Sequence, residues 1–371
     1  MHYSWIRSIV LWPFTILYRT GVWIRNVLFD LEFLKSKSFD MPIISVGNLA
    51  VGGTGKTPHI EYLIRLLQNT TSLAVLSRGY KRKTSGFLLA DGKSTSKQIG
   101  DEPYQIHLNF PNIPIAVDAD RVHGVECLSK SDDIKIDTVL LDDAYQHRRI
   151  RPGLNILLTD YNHLFVFDRL LPLGRLREPS GRKDRADIVI VTKTPDGVSP
   201  MDLRVISSQL ELHPFQKLFF STFVYGDLIP FFKQDDEEIN NIPFSSLTDD
   251  DTILLVSGIA NPDMLIDALK RKSKQLTYLS YDDHHQFTSG DINQIKKKYQ
   301  TLAEGATRCI IVTTQKDAAR FSAMTLPDEI KISLYVLPIE VKFLNDNHEL
   351  FNQTIINYVR TNKRNSIFSK K

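Results

Sequence analysis

Six consecutive residues, Gly52-Gly53-Thr54-Gly55-Lys56-Thr57, restrict what can surround them. Glycines let the main chain curl until successive N–H groups converge on one point. A helix starting there adds the partial positive charge of its N-terminus. Such a turn needs a strand before it and a helix after it, and both are legible. Residues 42–46 form a short apolar run, and residues 59–67, HIEYLIRLL, follow as a helix. Lys56 is placed to reach the β- and γ-phosphates of a nucleotide, and the Thr57 hydroxyl to hold Mg²⁺. Pro58 suits the first helical turn, where its missing N–H has no partner. A phosphate-binding loop of the P-loop type would carry glycine at position 50, and here Ala50 stands instead. The nearest upstream glycine is Gly47, so the loop must begin its curl differently.

The text beyond this turn keeps the same pattern. Residues 73–77, 113–117, 138–141, 155–159 and 187–192 are short apolar runs, several separated by helix-length segments. The spacing predicts an α/β fold with a P-loop NTPase-like, mostly parallel sheet. Thr138-Val139-Leu140-Leu141-Asp142-Asp143 ends in two acids about 85 residues after Thr57. A carboxylate at such a strand tip can hold the Mg²⁺ that bridges a nucleotide's terminal phosphates, and either acid suits. Residues 219–232, FFSTFVYGDLIPFF, read as a hairpin-like linker around Gly226-Asp227, with acidic QDDEEINN behind it. A second, smaller α/β set follows at 252–257, 276–280, 309–313 and 332–337. The expected organisation is an amphipathic segment at 1–40, a P-loop core at 41–218, a linker at 219–240 and a C-terminal α/β domain at 241–371. The basic tail at 361–371 reads as a frayed end.

Composition serves to exclude. The 371 residues allow two domains. Lys plus Arg 46 against Asp plus Glu 43 leaves a formal charge of +3, too small an excess for a dedicated nucleic-acid binder. Cys127 and Cys309 cannot build a disulfide framework or a cysteine-rich zinc site, which suits a reducing compartment.

The N-terminus departs from this average. Trp5, Trp12 and Trp23 are all the tryptophans of the chain, and Arg7, Arg19 and Arg25 punctuate the same apolar run. Its longest uncharged stretch, residues 8–18, reaches roughly 17 Å as a helix, against roughly 30 Å of bilayer hydrocarbon. It cannot span. Tyr18 and Arg19 stand where a signal peptide would need small residues. Two readings stay open: a helix lying in a membrane interface with its aromatics at headgroup level, or a helix packed on the protein's own core.

The kind of nucleotide protein is a further question. Regulatory ATPases with a lysine before the paired glycines are disfavoured by Val51. A GTPase or metallochaperone switch would read guanine with Asn-Lys-x-Asp. Thr192-Lys193-Thr194-Pro195-Asp196 and Gln315-Lys316-Asp317 only echo that turn. A nucleotide-binding scaffold without catalysis is a third possibility.

More motifs follow in order: Gly47-Asn48-Leu49, Ser77-Arg78-Gly79-Tyr80, Gly100-Asp101-Glu102-Pro103, Asp142-Asp143-Ala144-Tyr145-Gln146-His147 and the run LPLGRLREP at 171–179. Gly258-Ile259-Ala260-Asn261-Pro262, Asp283-His284-His285 and Gln315-Lys316-Asp317 complete the series. Together with the phosphate-binding turn, it resembles the tetraacyldisaccharide 4′-kinase family of lipid A biosynthesis, from the N-terminal segment to about residue 320. Ala144 replaces the family's usual Gly, Tyr145 its Phe and Gln315 its Glu.

The resemblance implies transfer of the γ-phosphate of ATP, with Mg²⁺, to the 4′-hydroxyl of a tetraacylated disaccharide 1-phosphate. It implies a peripheral protein at the cytoplasmic face of the bacterial inner membrane, acting on the lipid A disaccharide precursor and on no nucleic acid, and expected as a monomer. The lipid acceptor favours the membrane reading of the first helix. By resemblance Asp101 is the base that takes the hydroxyl proton, Glu102 assists in positioning or with the metal, and His284 forms a dyad with Asp101 from the C-terminal domain on closure. Arg78 is a phosphate contact or else a surface ion pair, Gln146 and His147 line the acceptor site or else buttress the loop, and Arg121 and Arg177 meet the substrate's 1-phosphate. Gln315, Lys316 and Asp317 touch adenine or ribose, or else cap a helix.

Overall fold

The computed structural model describes residues 4–369 apart from 132–133, 233–239, 284, 323 and 346, with side chains from residue 9 to 362. Most of the acidic stretch at the end of the expected linker lies outside the described residues. In chain order the strands are β1 (Ile43–Asn48), β2 (Leu73–Ser77), β3 (Leu88–Leu89), β4 (Ile115–Val117), β5 (Thr138–Asp142), β6 (Leu154–Asp160) and β7 (Ile188–Thr192). There follow β8 (Lys217–Tyr225), β9 (Ile229–Pro230), β10 (Asp251–Ser257), β11 (Gln275–Ser280), β12 (Arg308–Thr314), β13 (Leu334–Leu337) and β14 (Ile339–Phe343). Among the described residues they form two sheets, ordered β14-β8-β7-β6-β1-β5-β2-β4-β3 and β11-β10-β12-β13-β9.

β1 lies between β5 and β6 and runs parallel to both. The chain reaches β2 only by passing over β5's place, and later steps across β1 from β5 to β6. In an open parallel sheet the crevice beyond the strand ends, where the order reverses, is where ligands bind. The glycine turn leaves β1 at that point. β1, β2, β5 and β7 are buried along their whole lengths. Hence they read as continuous apolar runs rather than alternating ones. On one side Val139 and Leu141 pack with Val125 and Leu128, while Val189 and Val191 pack with Leu203 and Ile206 in another cluster.

The chain divides into two compact units, Met1–Lys93 with Phe110–Phe223 and Val341–Lys371, and Ser94–Asn109 with Val224–Glu340. This differs from a single cut near residue 219. Ser94–Asn109 belongs with the second unit, and the C-terminal helix His348–Ser369, which takes in most of the basic tail, belongs with the first. In the second unit β10 sends Ile253 and Leu255 into one apolar cluster and Leu254 and Val256 into another, the two-residue period of a strand buried on both faces. The expected hairpin is a parting of ways: β8 runs parallel beside β7, whereas β9 pairs antiparallel with β13. Gly226, between them, donates its N–H to Pro338 O at 3.0 Å, a contact remote in sequence.

Gly47 shows why the upstream glycine is needed. It lies inside β1, and a Cβ there would stand 2.7 Å from Tyr145 Cβ and 3.0 Å from Tyr145 N. Gly47→Ala is therefore expected to lower stability by about 1–3 kcal/mol, since main chain must yield. Gly21→Ala, in an open helical position with nothing within 4 Å, is expected to be neutral or to stabilise by up to about 1 kcal/mol. Urea unfolding midpoints of the two variants check the contrast.

Candidate active site

Gly55 precedes the Lys56–Leu67 helix in the left-handed conformation, φ 86°, with no side chain capping the first N–H groups. Those donors stay open for an anion. A side chain at position 55 is excluded twice, by the positive φ and by Phe223 Cζ, 2.5 Å from where a Cβ would sit. Gly52 is also left-handed, φ 109°. Ala50 is buried and bridged antiparallel to Leu176, with Val51 N donating to Arg175 O at 2.8 Å and Arg177 N to Leu49 O at 2.7 Å. The loop thus starts as paired extended chain against 175–177, where no glycine is required.

His59 holds the turn from behind. Its Nδ1 lies 2.8 Å from Gly55 O and its Nε2 3.1 Å from Ser221 Oγ, so the neutral ring donates to the carbonyl and accepts from the hydroxyl. Burial pushes the imidazole down to about 4. Thr54 is tied on both sides: Asn48 Nδ2 donates to its Oγ1 at 2.8 Å and Thr192 Oγ1 to its main-chain O at 3.0 Å.

Asp142 ends β5 in register with Val46 of β1, fully buried, and its Oδ2 accepts from Ser77 Oγ at 3.1 Å. Asp143 follows with φ 47°, which turns its carboxylate toward two cations. Lys56 Nζ is 3.8 Å from Asp143 Oδ1, and Arg177 donates to both carboxylate oxygens at 3.0 and 3.2 Å. Burial opposes the charge on Asp143, yet Lys56 and Arg177 hold its carboxyl below the usual range. Arg177 also donates to Asn48 Oδ1, and Gln146 Nε2 to Asn48 O at 2.7 Å. Among the described residues no group of three or more His, Cys, Asp or Glu side chains could hold a metal unaided. Mg²⁺ needs only one or two carboxylates besides phosphate and water. Asp142 and the Thr57 hydroxyl fit that donor set better than Asp143, which is already bound to two cations.

Arg121 does not present its guanidinium to a ligand. It is buried and donates to Asp118 O at 3.0 Å, Ala119 O at 3.4 Å and Asp142 O at 3.2 Å, bracing the β5 tip. His147 is half-buried and its Nε2 accepts from Arg121 N at 3.4 Å; burial first, then Arg121, push it down to about 4. Arg78 is exposed just past β2.

In the second unit Asp101 and Glu102 open the Asp101–Asn109 helix, which packs on the Gln315–Phe321 helix. Arg320, buried, donates from Nε and Nη2 to Asp101 Oδ2 at 3.1 and 3.0 Å, and from Nη1 to Asp317 Oδ1 at 2.7 Å. Asp317 accepts from Gly258 N at 3.0 Å and exchanges bonds with its N-cap Thr314. It is a buried brace of the helix start rather than a nucleotide contact. Lys316 pairs with Asp283 at 3.0 Å, and Gln315 is half-buried. His284 lies outside the described residues. The expected split of an Asp101–His284 dyad between two domains does not match the division of the chain, since Ser94–Asn109 and Val224–Glu340 form one unit.

The Ser4–Asp30 helix belongs to the first unit. Its half-buried or buried residues, Leu11, Thr15, Tyr18, Val22, Arg25, Asn26, Val27, Leu28 and Phe29, mix apolar and polar groups. Ile9, Val10, Phe14 and Leu17 point outward, and Trp12 and Trp23 are 61% and 60% exposed. These tryptophans are not core filler. No described helix is long and apolar enough to cross a membrane. Sequence reasoning gave no role to Asn48, His59, Arg320, Tyr18 or Arg25. Asn48 stood within a quoted motif; the others join through contacts with no local signature.

The family model described as Tetraacyldisaccharide-1-P 4'-kinase matches residues 7–359. A protein of Phocaeicola vulgatus named Tetraacyldisaccharide 4'-kinase is 52% identical over 361 residues, covering 97% of each chain. One of the same name from Bacteroides thetaiotaomicron is 51% identical over 366 residues, covering 97% of this chain and 96% of its own. The crystal structure of the "apo" form of LpxK from Aquifex aeolicus in complex with ATP superposes with TM-score 0.70 at 29% identity, covering 95% of this chain and 99% of that one.

The two depressed histidines set a pH dependence. In the unfolded chain they titrate near 6.5; folded, His59 and His147 do so at about 4. The unfolded state therefore binds more protons between those values, so their stabilisation is complete above about pH 6.5 and lost as pH falls toward 4. Thermal unfolding midpoints at pH 7.5 and pH 5 are expected to differ less in His59→Asn than in the parent chain.

Proposed function

This chain belongs to the tetraacyldisaccharide-1-P 4′-kinase family and is an ATP-dependent kinase of lipid A biosynthesis, and on that premise we propose how its residues divide the work. The observation that carries the assignment is the glycine turn at the β1 tip, with open N–H donors, a left-handed Gly55 and Lys56 beside it. Residues 52–57 cradle the phosphates of ATP. Lys56 leaves Asp143 for the β- and γ-phosphates, whose negative charge it clamps during transfer. Thr57 and Asp142 would hold Mg²⁺, which would supply charge neutralisation at the terminal phosphates.

Asp101 takes the proton of the acceptor's 4′-hydroxyl as its oxygen bonds to the γ-phosphorus. The bond from that phosphorus to the β-phosphate oxygen breaks, and ADP leaves. The guanidinium of Arg320 orients the carboxylate for this task. Arg78, exposed beyond β2, meets a phosphate of nucleotide or acceptor; Glu102 assists near the base. Gln146, His147 and Arg177 act chiefly by shaping the turn, and Gln315 and Lys316 remain for the nucleoside. The acceptor's acyl chains stay in the bilayer, and the outward apolar face of the first helix supports peripheral docking at the cytoplasmic face of the inner membrane.

The test is purified protein with γ-labelled ATP, Mg²⁺ and a tetraacylated disaccharide 1-phosphate in mixed micelles. Label is expected in the lipid. Its absence, with ATP bound, would leave a nucleotide-binding scaffold. Asp101→Asn is expected to keep ATP affinity within about twofold while kcat falls by about 10²–10⁴; an unchanged kcat removes Asp101 as base. Lys56→Ala is expected to abolish labelling, and near-parental turnover would discard the clamp.

A further inference from the structure

Two side chains of the Ser4–Asp30 helix donate to main-chain carbonyls elsewhere in the first unit. Tyr18 Oη donates to Arg177 O at 2.9 Å, and an Arg25 Nη to Gln146 O. The residues gripped in this way are the two whose own side chains hold Asn48. Gln146 Nε2 donates to Asn48 O at 2.7 Å, and Arg177 Nη2 to Asn48 Oδ1. Asn48 ends β1 and donates to Thr54 Oγ1 inside the phosphate-binding turn at 2.8 Å. Arg177 in addition holds Asp143 opposite Lys56. Every link from the helix to the turn is thus a hydrogen bond between named atoms.

We propose that Tyr18 and Arg25 are positioning residues for phosphoryl transfer, fixing the main chain beneath Arg177 and Gln146 so that the seating of the first helix sets Asn48, Thr54 and the Asp143–Lys56 pair. The inference rests on the kinase reading of that turn. The helix is anchored independently at its C-terminal end. Arg148 donates to Asn26 O at 3.0 Å and to Asp30 at 2.7 Å, Arg182 reaches Asp30 at 2.9 Å, and Arg148 lies 5.0 Å over the Phe29 ring. Loss of the Tyr18 hydroxyl therefore leaves the helix attached while cutting one link to the turn. Positioning matters to rate because a displacement of about 1 Å at a reacting group can cost about 10²-fold.

Full-length Tyr18→Phe, Arg25→Met, Arg25→Lys and Asp30→Asn are compared with the parent for kcat, acceptor KM, thermal midpoint and recovery with phospholipid vesicles. Tyr18→Phe and Arg25→Met are each expected to lower kcat about fivefold or more at saturating ATP and acceptor. Acceptor KM and vesicle recovery should stay within about twofold, with Arg25→Lys regaining part of the rate. Asp30→Asn, which loosens the same helix at the side chains of Arg148 and Arg182 and leaves the main-chain bond of Arg148 N to Gln146 O in place, is expected to keep parental kcat. The proposal is overturned if Tyr18→Phe and Arg25→Met turn over like the parent. It is equally overturned if all variants lose rate in proportion to their thermal midpoints, or if the loss appears only in acceptor KM or vesicle recovery. A parent chain that transfers no phosphate would instead sink the kinase reading itself.

Discussion

The guanidinium of Arg177 is the contact on which the phosphate-binding unit depends. It spans Asn48 and Asp143, one at the tip of β1 and the other just past β5. Adjacent parallel strands fix the two tips laterally, but nothing in a sheet ladder fixes the side chains projecting beyond it. A planar fork with several donors does so, which an ammonium group could not. The left-handed conformation of Asp143 keeps its carboxylate facing Lys56, whose Nζ lies 3.8 Å away. The expected meeting of Arg177 with the substrate's 1-phosphate has to compete with these bonds, and the geometry gives the structural task priority.

The first helix follows from the same network. The docked residues include Leu11, Val22, Val27, Leu28 and Phe29 beside Thr15, Tyr18, Arg25 and Asn26, while Trp12, Phe14, Leu17 and Trp23 face outward. Tyr18 packs against the apolar cluster that holds Leu49 and Leu176 and also donates to Arg177 O, and Arg25 donates to Gln146 O. Apolar residues therefore lie on both sides of the helix, which explains why sequence alone held two readings open: periodicity does not say which face meets the protein.

Much of the fold was legible. Expected runs at 73–77, 138–141, 155–159 and 187–192 coincide with β2, β5, β6 and β7 within a residue or so. Buried parallel strands are continuous apolar runs, and the glycine turn declares its own flanks. What failed to show was non-local. β9 and β14 are short and owe their strand character to partners far away in sequence, so the aromatic run at 219–232 looked like a local hairpin. Ser94–Asn109 carries no signal that it packs with residues more than 200 positions later; Asp101 and Arg320 are joined only in the folded chain. The site divides likewise. The left-handed turns at Gly52 and Gly55 and the place of Asp142 at a strand tip could be anticipated because main-chain geometry and strand position leave a local signature. Arg121 was expected at a phosphate and is a buried brace, and for Asp317 the helix-start reading is the one of two that its bonds fit; in a sequence a buried brace and a ligand contact look the same.

Charge balance makes sense of those braces. Around the turn, Lys56, Arg177 and Arg121 face Asp142 and Asp143, a surplus of one positive charge where an anion is to be held. In the second unit the buried Arg320 lies between Asp101 and the fully buried Asp317. A buried guanidinium without a counter-charge is costly, by several kcal/mol, so a carboxylate as buried as Asp317 is what permits Arg320 to sit there. Asp317, which also accepts from Gly258 N and Thr314, takes one edge of the guanidinium and leaves Nε and Nη2 to hold Asp101. At the turn Asp143 likewise holds two cations, Lys56 and Arg177, in place.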